Sequence, residues 1–140
     1  MKVVQNDLQQ TPSGAKLTVA KVEDPNKTLY IYTRVSTLAQ ANEGTSLKTQ
    51  YQLGLKKAKE LKLKPIHLDE GGKSSHHEEM AGRPVLYELY QAIKRGEVKH
   101  LWIYDQSRLS RNGNVASMFR FELQKYGVTL YSKDGQFDLT

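Results

Sequence analysis

The chain contains no cysteine. Disulfide staples, thiolate metal sites and a thiol nucleophile are therefore excluded, and a reducing compartment is the natural setting. Long apolar runs are also missing. None approaches the roughly 20 residues that a bilayer span requires, and the first residues lack the apolar stretch of a signal peptide. A soluble, cytoplasmic protein without membrane contact is the expectation. There is no internal repeat, no low-complexity tract and no glycine-rich phosphate loop of the P-loop or dinucleotide type. Nothing reads as a helix-turn-helix or a zinc module either.

What is present fits one domain. At 140 residues the chain is long enough to bury a core unaided. Lys and Arg number 21 against 15 acids, a formal charge of +6 and a pI near 9.4, which favours a polyanionic partner such as nucleic acid. Many basic domains bind nothing anionic, so the distribution of charge carries more weight. Lysines mostly decorate the expected helices, whereas Arg34, Arg83, Arg108 and Arg111 fall beside expected strand ends or loops.

Residues 1–27 are polar and broken by Pro12, Gly14 and Pro25, with only residues 16–22 resembling a strand. They read as an N-terminal extension, partly mobile, ahead of a domain at 28–140. "TLYIYTR" then reads as a strand, and "SLKTQYQLGLKKAKELK" spaces Leu47, Tyr51, Leu55, Ala58 and Leu61 along one helical face. "PIHLDE" is a short strand, and "GGKSSHHEEMAG" an aperiodic surface loop. Pro84 suits the first turn of a helix with the apolar stripe Leu86, Leu89, Tyr90 and Ile93, which Gly96 ends. "KHLWIYD" is an apolar strand, a helix follows near 114–125 on Val115, Met118, Phe119 and Leu123, and "VTLYSK" is a further strand. Such alternation predicts an α/β fold, a mainly parallel sheet of four to five strands with helices on both faces. Ligands in such sheets sit beyond the carboxyl ends of the strands. Arg34, Ser36, Asp69 and residues 105–111 all fall at that edge.

Two segments there carry chemistry. In "YIYTRVSTLAQ", side chains two apart share a strand face, so Tyr32, Arg34 and Ser36 point one way as the strand gives out. A serine hydroxyl is a poor nucleophile until nearby cations favour its alkoxide and hold the electrophile in line. Arginine suits that task, because its planar fork grips phosphate oxygens in pairs and stays charged at any working pH. A phosphodiester is thus a better target than an amide. In "YDQSRLSRNGN", Arg108 and Arg111 lie three apart and share a face if the segment coils into a helical turn. For either segment alone, surface ion pairing and helix capping are the plainer reading.

Taken together, "YTRVSTLAQ", "SLKTQ" and "GRPVLYELYQAIKRGEVKHLWIYDQSRLSRN", in that order and spacing, resemble the catalytic domain of the serine recombinases, the resolvase, invertase and large phage-integrase superfamily. The likeness runs from about Leu29 to the end. It implies that Ser36 is the nucleophile, forming a 5′-phosphoserine bond to DNA and releasing a 3′-hydroxyl. It implies that Arg34, Arg83, Arg108 and Arg111 bind the phosphate and stabilise the transition state, with Tyr32, Gln40 and Gln50 in support. The implied partners are a double-stranded DNA recombination site and further copies of the chain, dimers that pair into tetramers; no cofactor or metal is implied. "GQFDLT" then marks the point at which a DNA-binding part, absent here, would follow.

Two positions depart from the family pattern. Ser107 stands where the family has Asp in Asp-Arg-Leu-Ser-Arg, and Ala92 stands where resolvases carry lysine. Asp105 is a candidate replacement for the missing carboxylate, because strand alternation puts it on the face of Ser107 about 7 Å back along the chain. The same departure leaves open a catalytically silent assembly module of this fold, and a small α/β phosphoesterase is the third reading. Among other polar residues, Ser46 reads as a helix N-cap, Ser74 and Ser75 as loop hydroxyls, and His76, His77, Glu78 and Glu79 as a solvated loop, not a metal site. Tyr126, Tyr131 and Phe137 read as core, not as stacking platforms for bases.

Overall fold

Seven consecutive residues, the strand β1 (Thr28–Arg34), are buried along their whole length. That pattern belongs to a strand with neighbours on both edges and cover on both faces. In this computed structural model, which describes residues 24–34, 46–71, 83–105 and 113–137, β1 is an interior strand of a five-stranded sheet. The other strands are β2 (Lys64–Gly71), β3 (His100–Ile103), β4 (Thr129–Ser132) and β5 (Gly135–Gln136), in the order β2-β1-β3-β4-β5. Tyr30 pairs with Ile66 on one side and Leu101 on the other, both parallel, and β4 joins β3 in parallel. Only β5 runs antiparallel, returning from β4. The α/β expectation holds.

Alternation along β1 divides the core in two. Tyr30 and Tyr32 join Leu101, Ile103 and Leu130 beneath α2 (Pro84–Lys94) and α3 (Gly113–Lys125), which contribute Leu86, Leu89, Ile93, Phe119 and Leu123. Leu29 and Ile31 face the other way, with Trp102 and Tyr131, beneath Ala58 of α1 (Leu47–Leu61). Tyr126 and Phe137 pack against the first cluster and Tyr131 lies within the second, so these aromatics serve the core.

Local chemistry fixes the helix ends. Ser46 caps α1, its Oγ accepting from the Thr49 amide at 3.1 Å. Pro84 opens α2 at a position whose amide would have no helical partner. Each helix then turns directly into a strand through one left-handed residue: Lys62 (φ 59°), Gly96 (φ 75°) and Gly127 (φ 68°). After each of these, the amide of the next residue bonds back into the helix, as Leu63 does to Ala58 and Val128 to Leu123, both at 2.8 Å.

The helical faces correct the expected stripes. In α1 the fully buried positions are Gln50, Gly54 and Ala58, while Leu47, Tyr51, Leu55 and Leu61 are half-buried at the flanks. A β-carbon on Gly54 would collide with the Ile31 side chain, so this helix lies on β1 at a distance only glycine allows. In α3, Met118 is exposed and Ala116 takes its place in the stripe. The expected strand at 16–22, the loop at 72–82 and the arginine segment at 106–112 lie outside the described residues.

Candidate active site

The carboxyl ends of β1, β2 and β3 and the N-terminus of α2 meet at one edge of the sheet. Of the residues singled out by sequence, Tyr32, Arg34, Gln50, Arg83 and Asp105 are among those described; Ser36, Gln40, Ser107, Arg108 and Arg111 lie outside them. The described residues form two groups.

The first surrounds the end of β1. Arg34 is only 2% exposed, and its backbone is held by the side chain of Gln50, itself fully buried. The Arg34 amide donates to Gln50 Oε1 at 3.3 Å, and Gln50 Nε2 donates to the Arg34 carbonyl at 3.1 Å. A side-chain amide thus acts here as one more strand. It satisfies both the N–H and the C=O of Arg34, where a bare buried polar group would be costly.

The second group brings together residues far apart in sequence. Arg83 Nη2 donates to Tyr32 Oη at 2.9 Å, and its guanidinium carbon lies 5.7 Å from the Tyr32 ring centroid. Tyr32 Oη in turn donates to Glu70 Oε1 at 2.8 Å. Glu70 also receives the first free amides of α2, Val85 N on Oε2 at 3.0 Å and Leu86 N on Oε1 at 2.8 Å. All three side chains are at most 3% exposed. Burial pushes the Tyr32 phenol far above its ordinary value; the Arg83 cation opposes this and the Glu70 carboxylate adds to it. Tyr32 therefore stays a neutral phenol, able to accept from Arg83 while donating to Glu70.

The sequence alone places Asp69 at this edge; Glu70, next to it, joins the cluster in the structure. Strand alternation held the signal: Glu70 is two residues from Leu68, which pairs with Tyr32 and packs on its face. What alternation could not supply is the irregularity next to it. Thr33 pairs with Asp69 but Arg34 pairs with Gly71, so β2 has one residue more than β1 at this point, and that residue is Glu70. Extra residues of this kind re-aim side chains beside functional sites.

On the opposite face, Thr33 Oγ1 donates to Asp69 Oδ1 at 3.2 Å and meets His67 Nε2 at 2.8 Å. Since the threonine proton goes to the carboxylate, the imidazole must donate from Nε2. Tyr51 stacks on that ring with centroids 3.9 Å apart. Asp105 lies two residues beyond the end of β3 and is partly buried. Ala92 is buried in the core, away from any polar role. Among the described residues there is no group of three or more His, Asp or Glu side chains arranged to hold a metal ion, and no helix is long and apolar enough to cross a membrane.

Comparison with known proteins adds an independent line. The family model described as "Resolvase, N terminal domain" matches residues 29–140. A putative DNA recombinase of Bacillus subtilis (strain 168) is 32% identical over 107 residues, covering 76% of this chain but 20% of that protein. The chain thus spans about a fifth of the length of the curated relative it matches. Among solved structures, the N-terminal catalytic domain of TP901-1 integrase is similar with a TM-score of 0.62 at 24% identity, over 77% of this chain and 78% of that one. A resolvase family site-specific recombinase from Streptococcus pneumoniae gives 0.59 at 27% identity, over 77% and 73%.

Proposed function

The chain belongs to the resolvase N-terminal domain family, and from that membership we propose that residues 28–140, behind a polar extension at 1–27, form the catalytic domain of a serine recombinase that cuts and rejoins double-stranded DNA at a specific site. The Ser36 hydroxyl attacks a backbone phosphorus. The bond from Ser36 Oγ to phosphorus forms as the bond to the 3′ oxygen breaks; the serine gives up its proton and the departing oxygen gains one. The product is a 5′-phosphoserine linkage and a free 3′-hydroxyl. A phosphodiester replaces a phosphodiester, so the reverse attack reseals exchanged strands without nucleotide hydrolysis.

Arg34, Arg83, Arg108 and Arg111 hold the phosphate and the charge that builds on it, as preorganised donors do in acyl and phosphoryl transfer. Tyr32, Gln40 and Gln50 support them, and Asp105 replaces the carboxylate that Ser107 lacks. Dimers of the chain pair into a tetramer so that all four strands are cut before any is exchanged. The observation that best supports this reading is the bond from Arg83 to Tyr32. It ties an arginine 51 positions downstream to the strand that runs toward Ser36.

The test uses the full-length protein with sheared genomic DNA of its host, quenched in detergent so that only covalent protein–DNA adducts are retained and sequenced. Adducts at a defined site are expected from the parent and none from Ser36→Ala. Their absence from the parent would instead favour the silent assembly module that the Ser107 departure suggests. Turnover of small phosphate esters would favour the phosphoesterase. Asp105→Ala is expected to form adducts about a hundredfold more slowly, the low end of what general acid–base groups contribute; an unchanged rate removes Asp105 from the site.

A further inference from the structure

We propose that Glu70 is a positioning residue: through the Tyr32 hydroxyl it fixes the orientation of the Arg83 guanidinium and locks that arginine to the start of α2. Its meaning for catalysis rests on the recombinase reading above, but the positioning itself is a property of the fold.

Four hydrogen bonds carry the inference: three converge on two buried atoms, Glu70 Oε1 and Tyr32 Oη, and the fourth ends on Glu70 Oε2. Glu70 Oε1 accepts from both Tyr32 Oη and Leu86 N, and Tyr32 Oη accepts from Arg83 Nη2 while donating to Glu70. Glu70 Oε2 accepts from Val85 N. The side chain lies at the N-terminal end of α2, where the helix dipole and unpaired amides favour an anion. Arg83 occupies the N-cap position of that helix, and no side chain of its own element caps it. The cap comes instead from β2.

A carboxylate used only to cap a helix would not need a phenol between itself and a fully buried cation. Tyr32 links the two: the guanidinium polarises the phenol, the phenol donates more strongly to Glu70, and the chain of bonds has one low-energy direction. Arg83 is thereby fixed in orientation as well as in place, which for a planar, forked donor is half of its usefulness toward phosphate. The extra residue in β2 delivers Glu70 to this point. Without the slip between Thr33 and Arg34, Glu70 itself would pair with Arg34 in regular register and the segment would leave the sheet differently.

Two variants separate positioning from capping. Glu70→Gln removes the charge and sets an NH2 group against an amide donor. Tyr32→Phe leaves both caps on α2 intact and cuts only the link to Arg83. In nitrogen-detected NMR of the 140-residue chain, the Arg83 Nε–Hε signal is expected to shift and exchange faster in both variants, while the Val85 and Leu86 amides move strongly in Glu70→Gln alone. An Arg83 signal unmoved by Tyr32→Phe, or by Glu70→Gln, overturns the proposal.

In the full-length protein, using the adduct assay on sheared host DNA, each variant is expected to slow covalent capture by about tenfold or more, as misplacement of a catalytic group does. The double variant is expected to be no slower than the worse single one, because both cut the same chain of bonds. Multiplying effects, or a Glu70→Gln that lowers only the melting temperature, would reduce Glu70 to a helix cap. If the parent forms no adduct, the recombinase reading fails while the NMR result still decides the position of Arg83.

Discussion

At the scale of single residues, the His67 cluster makes a pH prediction. Burial lowers the His67 pKa from its ordinary value, and the Asp69 carboxylate opposes that shift. A folded-state value below the unfolded one means that the unfolded chain binds the proton more readily. The cluster's contribution to stability is therefore complete above the unfolded value of about 6.5 and is lost as pH falls through the folded one. Melting temperature should decline as pH is lowered from 7 toward 5. His67→Gln keeps an N–H for Thr33 but cannot titrate, so its decline should be shallower; parallel curves would exclude His67 as the cause. A mirror-image effect belongs to Tyr30, whose phenol is pushed up to about 12, chiefly by burial and further by Glu97. Its contribution is complete below the unfolded value of about 10 and is lost as pH rises through 12, so Tyr30→Phe should flatten alkaline unfolding.

At the scale of elements, the contact of α1 with β1 sets the next expectation. Gly54→Ala gains helix propensity, yet it drives a methyl into Ile31. Overpacking of this kind costs about 1–3 kcal/mol, more than the gain of roughly 1 kcal/mol from replacing a helical glycine. Chemical denaturation should show net destabilisation, and Ile31→Ala should cost less in the Gly54→Ala background than in the parent. This contact also marks where sequence reading stops. Helix ends were legible where Ser46, Pro84 and Gly96 carry them locally. The sheet was legible because the strands are uniformly apolar and alternate with helices. Which face of α1 goes deepest was not: apolarity pointed to Leu47, Tyr51 and Leu55, but Gln50 is drawn inward by the open peptide of Arg34 and Gly54 by the bulk of Ile31. Neither demand is written within the helix. The site divides in the same way. Tyr32, Arg34, Gln50 and Arg83 are singled out by spacing and resemblance, whereas Glu70, though on the Leu68 face of its strand, lies beside a one-residue slip that no local pattern records.

At the scale of the whole molecule, under the proposed recombinase reading the +6 charge is the main determinant of how the chain would meet DNA. Charge attraction without base readout gives weak, sequence-indifferent binding that falls linearly in log–log terms as salt rises. The 140-residue chain should bind unrelated duplexes alike, with Kd in about the micromolar range or weaker at physiological salt. A nanomolar, sequence-selective complex in a gel-shift assay would contradict this. The borders of the sheet have a separate consequence. Among the described residues, one border is the two-residue β5 and the other is β2, which opens with the exposed pair Lys64 and Pro65. A charge and a residue lacking an N–H are poor templates for an incoming chain, and a border two residues long offers almost nothing to extend. Concentrated samples should therefore resist fibril growth seeded from either of these two borders, which thioflavin fluorescence after seeding would check.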